Sequence, residues 1–202
     1  MSEKIFVTAI GTDSGKSVVS AILTEKLKAD YWKPIQAGFP TDTNFVKSLV
    51  SNSKTIFHSE SYLLKHPMSP HAAAALENTS VNLAKINLPK TDNHLIIEGA
   101  GGLLVPINET EFIADLISNL DTEIVLVANL YLGSINHTLL TINELQRRKI
   151  SIKGIVFNGD SNLASEEVIL KQAQVPCLLR LPKLASVDKE AIKKYALLMK
   201  DE

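Results

Sequence analysis

Short apolar runs alternate along the chain with longer stretches in which apolar residues recur every three or four positions. The short runs predict β-strands, and the longer stretches predict amphipathic helices. The expected strands are Lys4–Ala9, Asp30–Ile35, His94–Glu98, Glu123–Ala128, Ile152–Asn158 and Val175–Leu181. The expected helices are Ser17–Ala29, Glu111–Leu120, Ile135–Arg148, Glu166–Ala173 and Asp188–Met199. Regular alternation of this kind indicates an α/β protein.

The expected strands are almost continuously apolar, which indicates a sheet that helices cover on both faces. A three-layer fold with a mostly parallel central sheet is therefore predicted. The length fits a single domain over residues 1–202. Residues 39–93 are the least regular part of the chain, and loops beyond the carboxyl ends of parallel strands are where such folds bind ligands.

Composition narrows the classes of function. Charged residues make up 21% of the chain and the net charge is -1, so there is no electrostatic case for a nucleic-acid partner. No apolar run approaches the ~18 residues of a membrane span, and no signal peptide precedes the first strand. The single cysteine, Cys177, lies in an apolar run and is expected in the core, which fits a reducing compartment. A cytoplasmic protein with no membrane or nucleic-acid partner is expected.

The junction of the first strand and the first helix carries a candidate phosphate-binding loop. Residues 11–17 read Gly-Thr-Asp-Ser-Gly-Lys-Ser. In such a loop, backbone N–H groups and the helix N-terminus face the phosphates, Lys16 adds a positive charge and Ser17 can hold Mg²⁺. The strict pattern has glycine where this chain has Ile10, so a plain strand-turn-helix junction is the alternative.

Two charged residues stand at the ends of expected strands. Lys33 lies in an apolar strand end, where a lysine is costly unless it meets an anion; the alternative is a solvated side chain. Glu98 ends an apolar strand and is followed by Gly-Ala-Gly-Gly, a position suited to a Mg²⁺ ligand opposite a phosphate loop. The alternative for Glu98 is a tight turn with a capping carboxylate.

Several other polar residues also have a purely structural interpretation. Taken alone, Asp42 is better interpreted as the N-cap of a helix. Ser134 or Asn136 could likewise cap the helix that follows the fourth strand. Asn158 ends a strand as part of a turn signal, although its amide could also contact a base.

Five segments together resemble the dethiobiotin synthetase family, and they occur in that family's order. They are Gly11–Ser17, Lys33–Gly38, Ser69–His71, Glu98–Gly102 and Leu132–His137. The segments at Glu98 and Leu132 are the specific ones, because many unrelated NTPases share a phosphate loop. The resemblance extends from residue 5 to residue 182 and implies a P-loop NTPase-like fold.

The resemblance also implies a reaction, the penultimate step of biotin biosynthesis. Members of the family form dethiobiotin from 7,8-diaminononanoate, CO2 and ATP, with Mg²⁺. One amine traps CO2 as a carbamate, and the carbamate takes the γ-phosphoryl group to give a carbamic-phosphoric anhydride. The second amine then closes the ring and releases phosphate, with ADP as the other product.

The roles that the resemblance implies fall into three groups. The ATP contacts are Thr12, Asp13, Ser14, Gly15, Lys16, Ser17, Val18, Glu98, Gly101, Asn158, Leu181 and Pro182. The Mg²⁺ ligands are Ser17, Asp42 and Glu98, and the catalytic lysines are Lys16 and Lys33. The diamine contacts are Lys33, Gly101, Ser134, Ile135 and Asn136. The family binds its diamine at a homodimer interface, with Gly101 from one subunit and residues 134–136 from the other.

The chain departs from the family pattern at several positions. Ala9 replaces a frequent glycine, and Gly11 stands where some members have aspartate. Ala37 stands where many members have a serine near the substrate, with Gln36 as a candidate to compensate. Tyr131 stands where lysine is common.

Two other functions compete with the ligase interpretation. A dimeric partition-type ATPase would share the phosphate loop, but such proteins usually carry an extra lysine early in it, and residues 11–14 contain none. A catalytically inactive relative used as a binding module is a third hypothesis. The intact Lys16, Ser17, Lys33 and Glu98 disfavour it.

Overall fold

The computed structural model describes residues 2–200. Its strands are β1 (Lys4–Ala9), β2 (Asp30–Trp32), β3 (Ile35–Ala37), β4 (Phe57–His58), β5 (Tyr62–Leu64), β6 (Leu95–Glu98), β7 (Glu123–Asn129), β8 (Ile152–Asn158) and β9 (Cys177–Leu181). Its α-helices are α1 (Lys16–Leu27), α2 (Asp42–Leu49), α3 (Pro70–Leu76), α4 (Ile113–Leu120), α5 (Ser134–Arg147), α6 (Leu163–Ala173) and α7 (Lys189–Leu198), with a short 3-10 helix at Leu83–Lys85. Within this described range, no helix has the length and apolar character needed to cross a membrane.

Seven strands form one parallel sheet in the order β4-β2-β6-β1-β7-β8-β9. Alternate side chains of β1 enter two separate cores, with Phe6 on one face and Val7 on the other. Helices α3, α4, α5 and α6 cover the face of Phe6, whereas α1, α2 and α7 cover the face of Val7. Burial on both faces explains the continuous apolar strands, and the predicted three-layer α/β fold is confirmed.

The position of β1 defines where a ligand can bind. Strand β1 lies between β6 and β7, and the strand order reverses there, with β2 and β4 on one side and β8 and β9 on the other. Such a reversal opens a crevice beyond the carboxyl ends of the strands. The loops that follow β1 and β6 meet at this crevice, since Val7 is in register with Glu98.

The expected strand Asp30–Ile35 is wrong as a single element. Strand β2 ends at Trp32 beside β6, and β3 begins at Ile35 in a second, two-stranded parallel sheet with β5. Pro34 lies at the break because it has no N–H to donate to a ladder. Its carbonyl accepts the N–H groups of Ser61 and Tyr62, which leads the chain into the small sheet.

At the opposite end of β2, a buried carboxylate joins three segments. The Asp30 carboxylate accepts hydrogen bonds from Thr91 Oγ1 at 2.7 Å, Ile56 N at 3.0 Å and Asn93 Nδ2 at 3.2 Å. Burial by itself would raise the pKa of Asp30, but these hydrogen bonds together hold that pKa below its ordinary value. The carboxylate therefore ties the edge strand β4 and the segment before β6 to the sheet.

Replacing Asp30 by asparagine should lower the free energy of unfolding by about 2 kcal/mol at neutral pH, because hydrogen bonds to a charged group are lost. The pKa of Asp30 is lower in the folded protein than in the unfolded chain. The contribution of the Asp30 carboxylate to the free energy of unfolding is therefore complete above the unfolded pKa of about 4 and declines as the pH falls. Urea unfolding of the wild type and of Asp30→Asn at neutral and acidic pH measures the difference in their free energies of unfolding. A difference that does not shrink as the pH falls below the unfolded pKa of about 4 would contradict it.

Candidate active site

The loop between β1 and α1 is braced by hydrogen bonds from both sides. Ser14 Oγ donates to the Gly11 carbonyl at 3.1 Å, and Asn158 Nδ2 donates to the Ser14 carbonyl at 2.9 Å. Gly15 has a φ of 94°, and a Cβ there would lie 2.4 Å from Asn158 Nδ2. The loop thus needs glycine at Gly15, which precedes the first residue of α1.

The missing early glycine of the phosphate-loop pattern does not disturb this geometry. A Cβ added at Gly11 would meet no atom closer than Ser14 Oγ at 3.8 Å. Asp13 has a positive φ of 55°, whereas Ile10 does not have a positive φ. The turn is therefore made by residues 13–15, and its shape tolerates Ile10.

Lys16, the first residue of α1, is a buried cation without an anionic partner among residues 2–200. Its Nζ donates to the Gly11 carbonyl at 3.1 Å, and its side chain is largely buried. Burial and the positive charge of Lys33 lower the pKa of Lys16 to about 8. A bound polyphosphate would supply the anion that this ammonium lacks.

Lys33 lies between two carboxylates. Its Nζ contacts Asp42 Oδ2 at 2.7 Å, Glu98 Oε1 at 3.2 Å and the Gly99 carbonyl at 2.9 Å. Only 3% of Lys33 is exposed, so the alternative of a solvated side chain is wrong. Burial by itself would lower the pKa of Lys33, but the charges and hydrogen bonds of Glu98 and Asp42 raise it above its ordinary value. Lys33 is therefore a charged ammonium at neutral pH.

Glu98 is a buried carboxylate at the end of β6. Its Oε1 accepts from Ser17 Oγ at 2.8 Å as well as from Lys33, and its Oε2 accepts from Tyr31 Oη at 2.9 Å. The alternative of a capping carboxylate in a tight turn is wrong, because all these donors are side chains of distant elements. The backbone of β1 and β6 brings Glu98 opposite the phosphate loop.

The interpretation of Asp42 as a helix cap is also wrong. Thr41 is the N-cap of α2, and its side chain accepts the N–H of Asn44 at 3.2 Å. Asp42 is the first helical residue, and its carboxylate is free to contact Lys33. Gln36 sets its place, since Gln36 Oε1 accepts the N–H of Asp42 at 3.0 Å.

Ser17, Asp42 and Glu98 form a donor set of one hydroxyl and two carboxylates around a common space. Hard oxygen ligands of this kind suit Mg²⁺, which binds through one or two carboxylates together with phosphate oxygens and water. No cluster of three or more His, Cys, Asp or Glu side chains able to hold a metal occurs in residues 2–200. These residues fit an ion that a nucleotide shares.

A cavity of about 650 Å³ joins the phosphate loop to the two carboxylates. Ten of the residues expected to contact ATP, Mg²⁺ or the diamine line it, namely Thr12, Asp13, Gly15, Lys16, Ser17, Val18, Lys33, Asp42, Glu98 and Gly101. A volume of this size suits a small-molecule or cofactor site. Three apolar side chains, Phe39, Phe45 and Met68, are exposed at its wall.

The residues expected at the base lie beside this cavity and do not line it. Asn158 and Leu181 are paired at the ends of β8 and β9, and the Leu181 carbonyl accepts the N–H of Gly159 at 2.8 Å. The Leu181 side chain is buried, whereas Pro182 is exposed. Asn158 connects this region to the phosphate loop through Ser14.

The diamine contacts at the start of α5 also lie outside the cavity. Ser134, Ile135 and Asn136 form the first turn of α5, and none of them lines it. The expectation that Ser134 or Asn136 caps the helix is wrong, because the N-cap is Gly133, which has no side chain. A second hollow of about 330 Å³ lies between the next turns of α5 and the phosphate loop, and it shares Thr12 with the cavity.

Tyr31 is a site residue that the sequence did not reveal, because a buried aromatic side chain in a strand is typical of a core residue. The sequence indicated Gln36 only weakly, as a neighbour of Ala37 that could compensate for the serine missing there. Its amide is used to hold Asp42 and the Gly38 carbonyl, so it is engaged in shaping the loop.

Two solved structures share the fold at low identity. A ParA family ATPase from Chlorobium tepidum TLS is 16% identical, with a TM-score of 0.54 over 98% of this chain and 90% of that chain. A protein described as a plasmid partition protein from Borrelia burgdorferi B31 is 10% identical, with a TM-score of 0.58 over 98% and 96%. Matches at such identities show the P-loop NTPase-like fold and do not transfer a function.

Comparison with known sequences is more specific. The family model described as "AAA domain" matches residues 3–191. An ATP-dependent dethiobiotin synthetase BioD from Cytophaga hutchinsonii is 54% identical over 201 residues, which cover 98% of either chain. A protein of the same name from Christiangramia forsetii is 48% identical over 97% of this chain and 95% of the relative. Since nearly the whole chain aligns at these identities, it belongs to the AAA domain family and, within it, to the ATP-dependent dethiobiotin synthetases.

Proposed function

We propose that this protein forms dethiobiotin from 7,8-diaminononanoate, CO2 and ATP, with Mg²⁺, in biotin biosynthesis. The observation that carries the proposal is the ammonium of Lys33, which lies between Glu98 and Asp42 in the same cavity as the phosphate loop. A phosphate loop alone would serve many ATPases. A buried second lysine beside it adds a group that can neutralise an acceptor carboxylate, such as a carbamate.

The proposed chemistry has three steps. One amine of the diamine attacks CO2 and loses a proton, giving a carbamate. A carbamate oxygen attacks the γ-phosphorus of ATP and displaces ADP, giving the carbamic-phosphoric anhydride. The second amine attacks the anhydride carbon and loses a proton as phosphate leaves. Little covalent work falls to the protein, so positioning and charge neutralisation account for the catalysis.

Lys16 and the backbone of residues 12–17 are proposed to hold the phosphates, while Ser17, Asp42 and Glu98 would hold Mg²⁺. The ion would neutralise charge on the β- and γ-phosphates. All three hydrogens of the Lys33 ammonium are engaged by Asp42, Glu98 and the Gly99 carbonyl. When another cation binds the two carboxylates, the Lys33 ammonium can keep its hydrogen bond to the Gly99 carbonyl and donate its other hydrogens to the carbamate.

Asn158 is proposed to contact the base, with Leu181 and Pro182 beside it. Its Nδ2 is committed to the Ser14 carbonyl, which leaves Oδ1 as an acceptor. An acceptor matches the amino group of adenine and opposes the carbonyl oxygen of guanine. ATP is therefore expected to support turnover better than GTP in the assay below, and equal kcat/KM values would contradict this role.

The function is tested by ADP release from the purified protein with Mg²⁺, ATP and bicarbonate, with and without 7,8-diaminononanoate. ADP release is expected to depend on the diamine and to match the dethiobiotin formed, measured by mass spectrometry. ATP turnover that ignores the diamine would overturn the proposal and favour a partition-type ATPase.

A homodimer is also proposed, with the diamine bound at the interface. Residues 134–136 do not line the cavity of their own subunit; Ser134 is buried, but Ile135 is half-buried and Asn136 is exposed, so these two can meet a neighbouring subunit. Large apolar side chains are exposed around it: Leu132 is fully exposed, and Leu104, Leu140 and Tyr131 are about half exposed. A second copy of the chain would bury this apolar surface.

Replacing Leu132 by aspartate should therefore convert the dimer to monomers and reduce dethiobiotin formation, because a charge would enter the apolar interface. Sedimentation velocity measures the mass. Leu197→Asp on α7 is the matched control, since Leu197 is also highly exposed and lies on the opposite face of the sheet. A Leu132→Asp protein that stays dimeric and active would contradict this interface.

A further inference from the structure

We infer that Tyr31 is a positioning residue for Glu98, which it holds in the orientation that presents one oxygen to Mg²⁺ and Lys33. The inference rests on the proposed metal role of Glu98. Tyr31 lies outside all the motifs of the phosphate loop, and its hydroxyl is the one neutral phenolic donor at the site among residues 2–200.

Tyr31 is held rigidly beneath the cavity. It is the middle residue of β2, in register with Ile96 of β6 and Phe57 of β4, and its side chain is fully buried. Its ring packs against Phe57 with a centroid distance of 5.8 Å and an interplanar angle of 49°. The phenol therefore approaches Glu98 from the core side, two strand positions from where β6 ends.

The two oxygens of Glu98 have different partners. Oε1 accepts from Ser17 and Lys33 on the cavity side, whereas Oε2 accepts from Tyr31. No other hydrogen bond reaches Oε2 from the part of the chain that the structure describes. Without the phenol, Oε2 would be a buried charged oxygen with no donor, and the carboxylate would rotate to share the donors of Oε1.

A neutral donor suits this position better than a cation would. It orients the carboxylate and leaves its negative charge available to Mg²⁺, as hydrogen-bond donors to metal-binding side chains do at many metal sites. The phenol is placed to act as that donor, since Tyr31 Oη lies 2.9 Å from Glu98 Oε2.

The test is Tyr31→Phe, which removes one oxygen atom and keeps the ring. Mn²⁺ binding is measured by electron paramagnetic resonance in the presence of a non-hydrolysable ATP analogue, and analogue binding is measured separately in EDTA. We expect Mn²⁺ affinity to fall about tenfold, within the range found when a hydrogen-bond partner of a metal ligand is removed. Binding of the metal-free analogue should be unchanged, because Tyr31 does not touch the phosphate loop.

Tyr62→Phe is the matched control. The Tyr62 hydroxyl accepts the N–H of Asn82 at 3.0 Å, so the control also removes a hydrogen-bonded phenol, but one that has no hydrogen bond to Glu98. It should leave Mn²⁺ affinity unchanged, whatever it does to the melting temperature. A Tyr31→Phe protein with wild-type Mn²⁺ affinity, or with an equal loss of metal-free analogue binding, would overturn the inference.

Failure of this inference can be distinguished from failure of the proposed function. Metal and nucleotide binding are measured without diamine or bicarbonate, so their result does not depend on which reaction follows. Diamine-independent ATP turnover together with a selective loss of Mn²⁺ affinity would leave the role of Tyr31 standing and remove only the ligase assignment.

Discussion

Replacing Lys33 by methionine should reduce kcat for dethiobiotin formation about 10²–10³-fold, the range found when one preorganised donor to a developing anion is lost. In the proposed reaction the ammonium would neutralise the carbamate and the transferring phosphoryl group, and no other cation contacts both Glu98 and Asp42 among residues 2–200. Product formation is measured at saturating ATP and diamine, so that a change in substrate affinity does not mask the effect. A variant with wild-type kcat would contradict the role of Lys33.

The same variant should be less stable. Without Lys33, the buried Glu98 and the partly exposed Asp42 lose their shared cation, and breaking a buried pair costs about 3 kcal/mol. Mg²⁺ should therefore raise the melting temperature of the Lys33→Met protein more than that of the wild type. Lys193→Met is the control, because its ion pair with Glu190 is exposed and such pairs contribute little.

Replacing Lys16 by methionine should reduce turnover by a similar factor of about 10²–10³, since its ammonium would meet the phosphates of ATP in the proposed reaction. Its effect on the nucleotide-free protein should be the opposite of that of Lys33→Met. Lys16 has one hydrogen bond, to the Gly11 carbonyl, and burial with the charge of Lys33 lowers its pKa to about 8. Removing a desolvated charge of this kind should leave the melting temperature unchanged or raise it.

The two lysine variants are best compared in one experiment. Calorimetric titration with ATP and thermal unfolding without nucleotide are measured for both proteins. Lys16→Met should lose ATP affinity without any fall in melting temperature, whereas Lys33→Met should have a lower melting temperature in the absence of Mg²⁺. A Lys16→Met protein with a melting temperature as low as that of Lys33→Met would contradict the interpretation of Lys16 as a buried cation that lacks an anionic partner until nucleotide binds.

The phosphate loop could be recognised from the sequence because its function is local. Gly15, Lys16 and Ser17 are consecutive, and the apolar run of β1 before them specifies the turn from strand to helix. Glu98 was found for a similar reason, since it ends an apolar strand and precedes glycines. In both cases the pattern and the chemistry lie within a few residues of each other.

Asp42 and Tyr31 illustrate what sequence patterns miss. A helix start such as Thr41-Asp42 looks the same whether its carboxylate caps the helix or contacts a lysine, and the choice depends on Thr41 and Gln36. Tyr31 looks like a core residue because its ring is one. Its hydroxyl acquires a role only because β2 pairs with β6, whose paired residues, such as Tyr31 and Ile96, are 65 positions apart along the chain.

The alternation of strands and helices, the parallel sheet and the turn between β1 and α1 could all be predicted from the sequence, because periodicity and short motifs encode them locally. The tertiary structure decided where the strand broke at Pro34, which helix position Asp42 takes, and that Tyr31, Lys33 and Glu98 share one buried hydrogen-bond network. The physical reason is that a hydrogen bond between distant residues depends on which strands are neighbours and in what register. That choice belongs to the packing of the whole sheet.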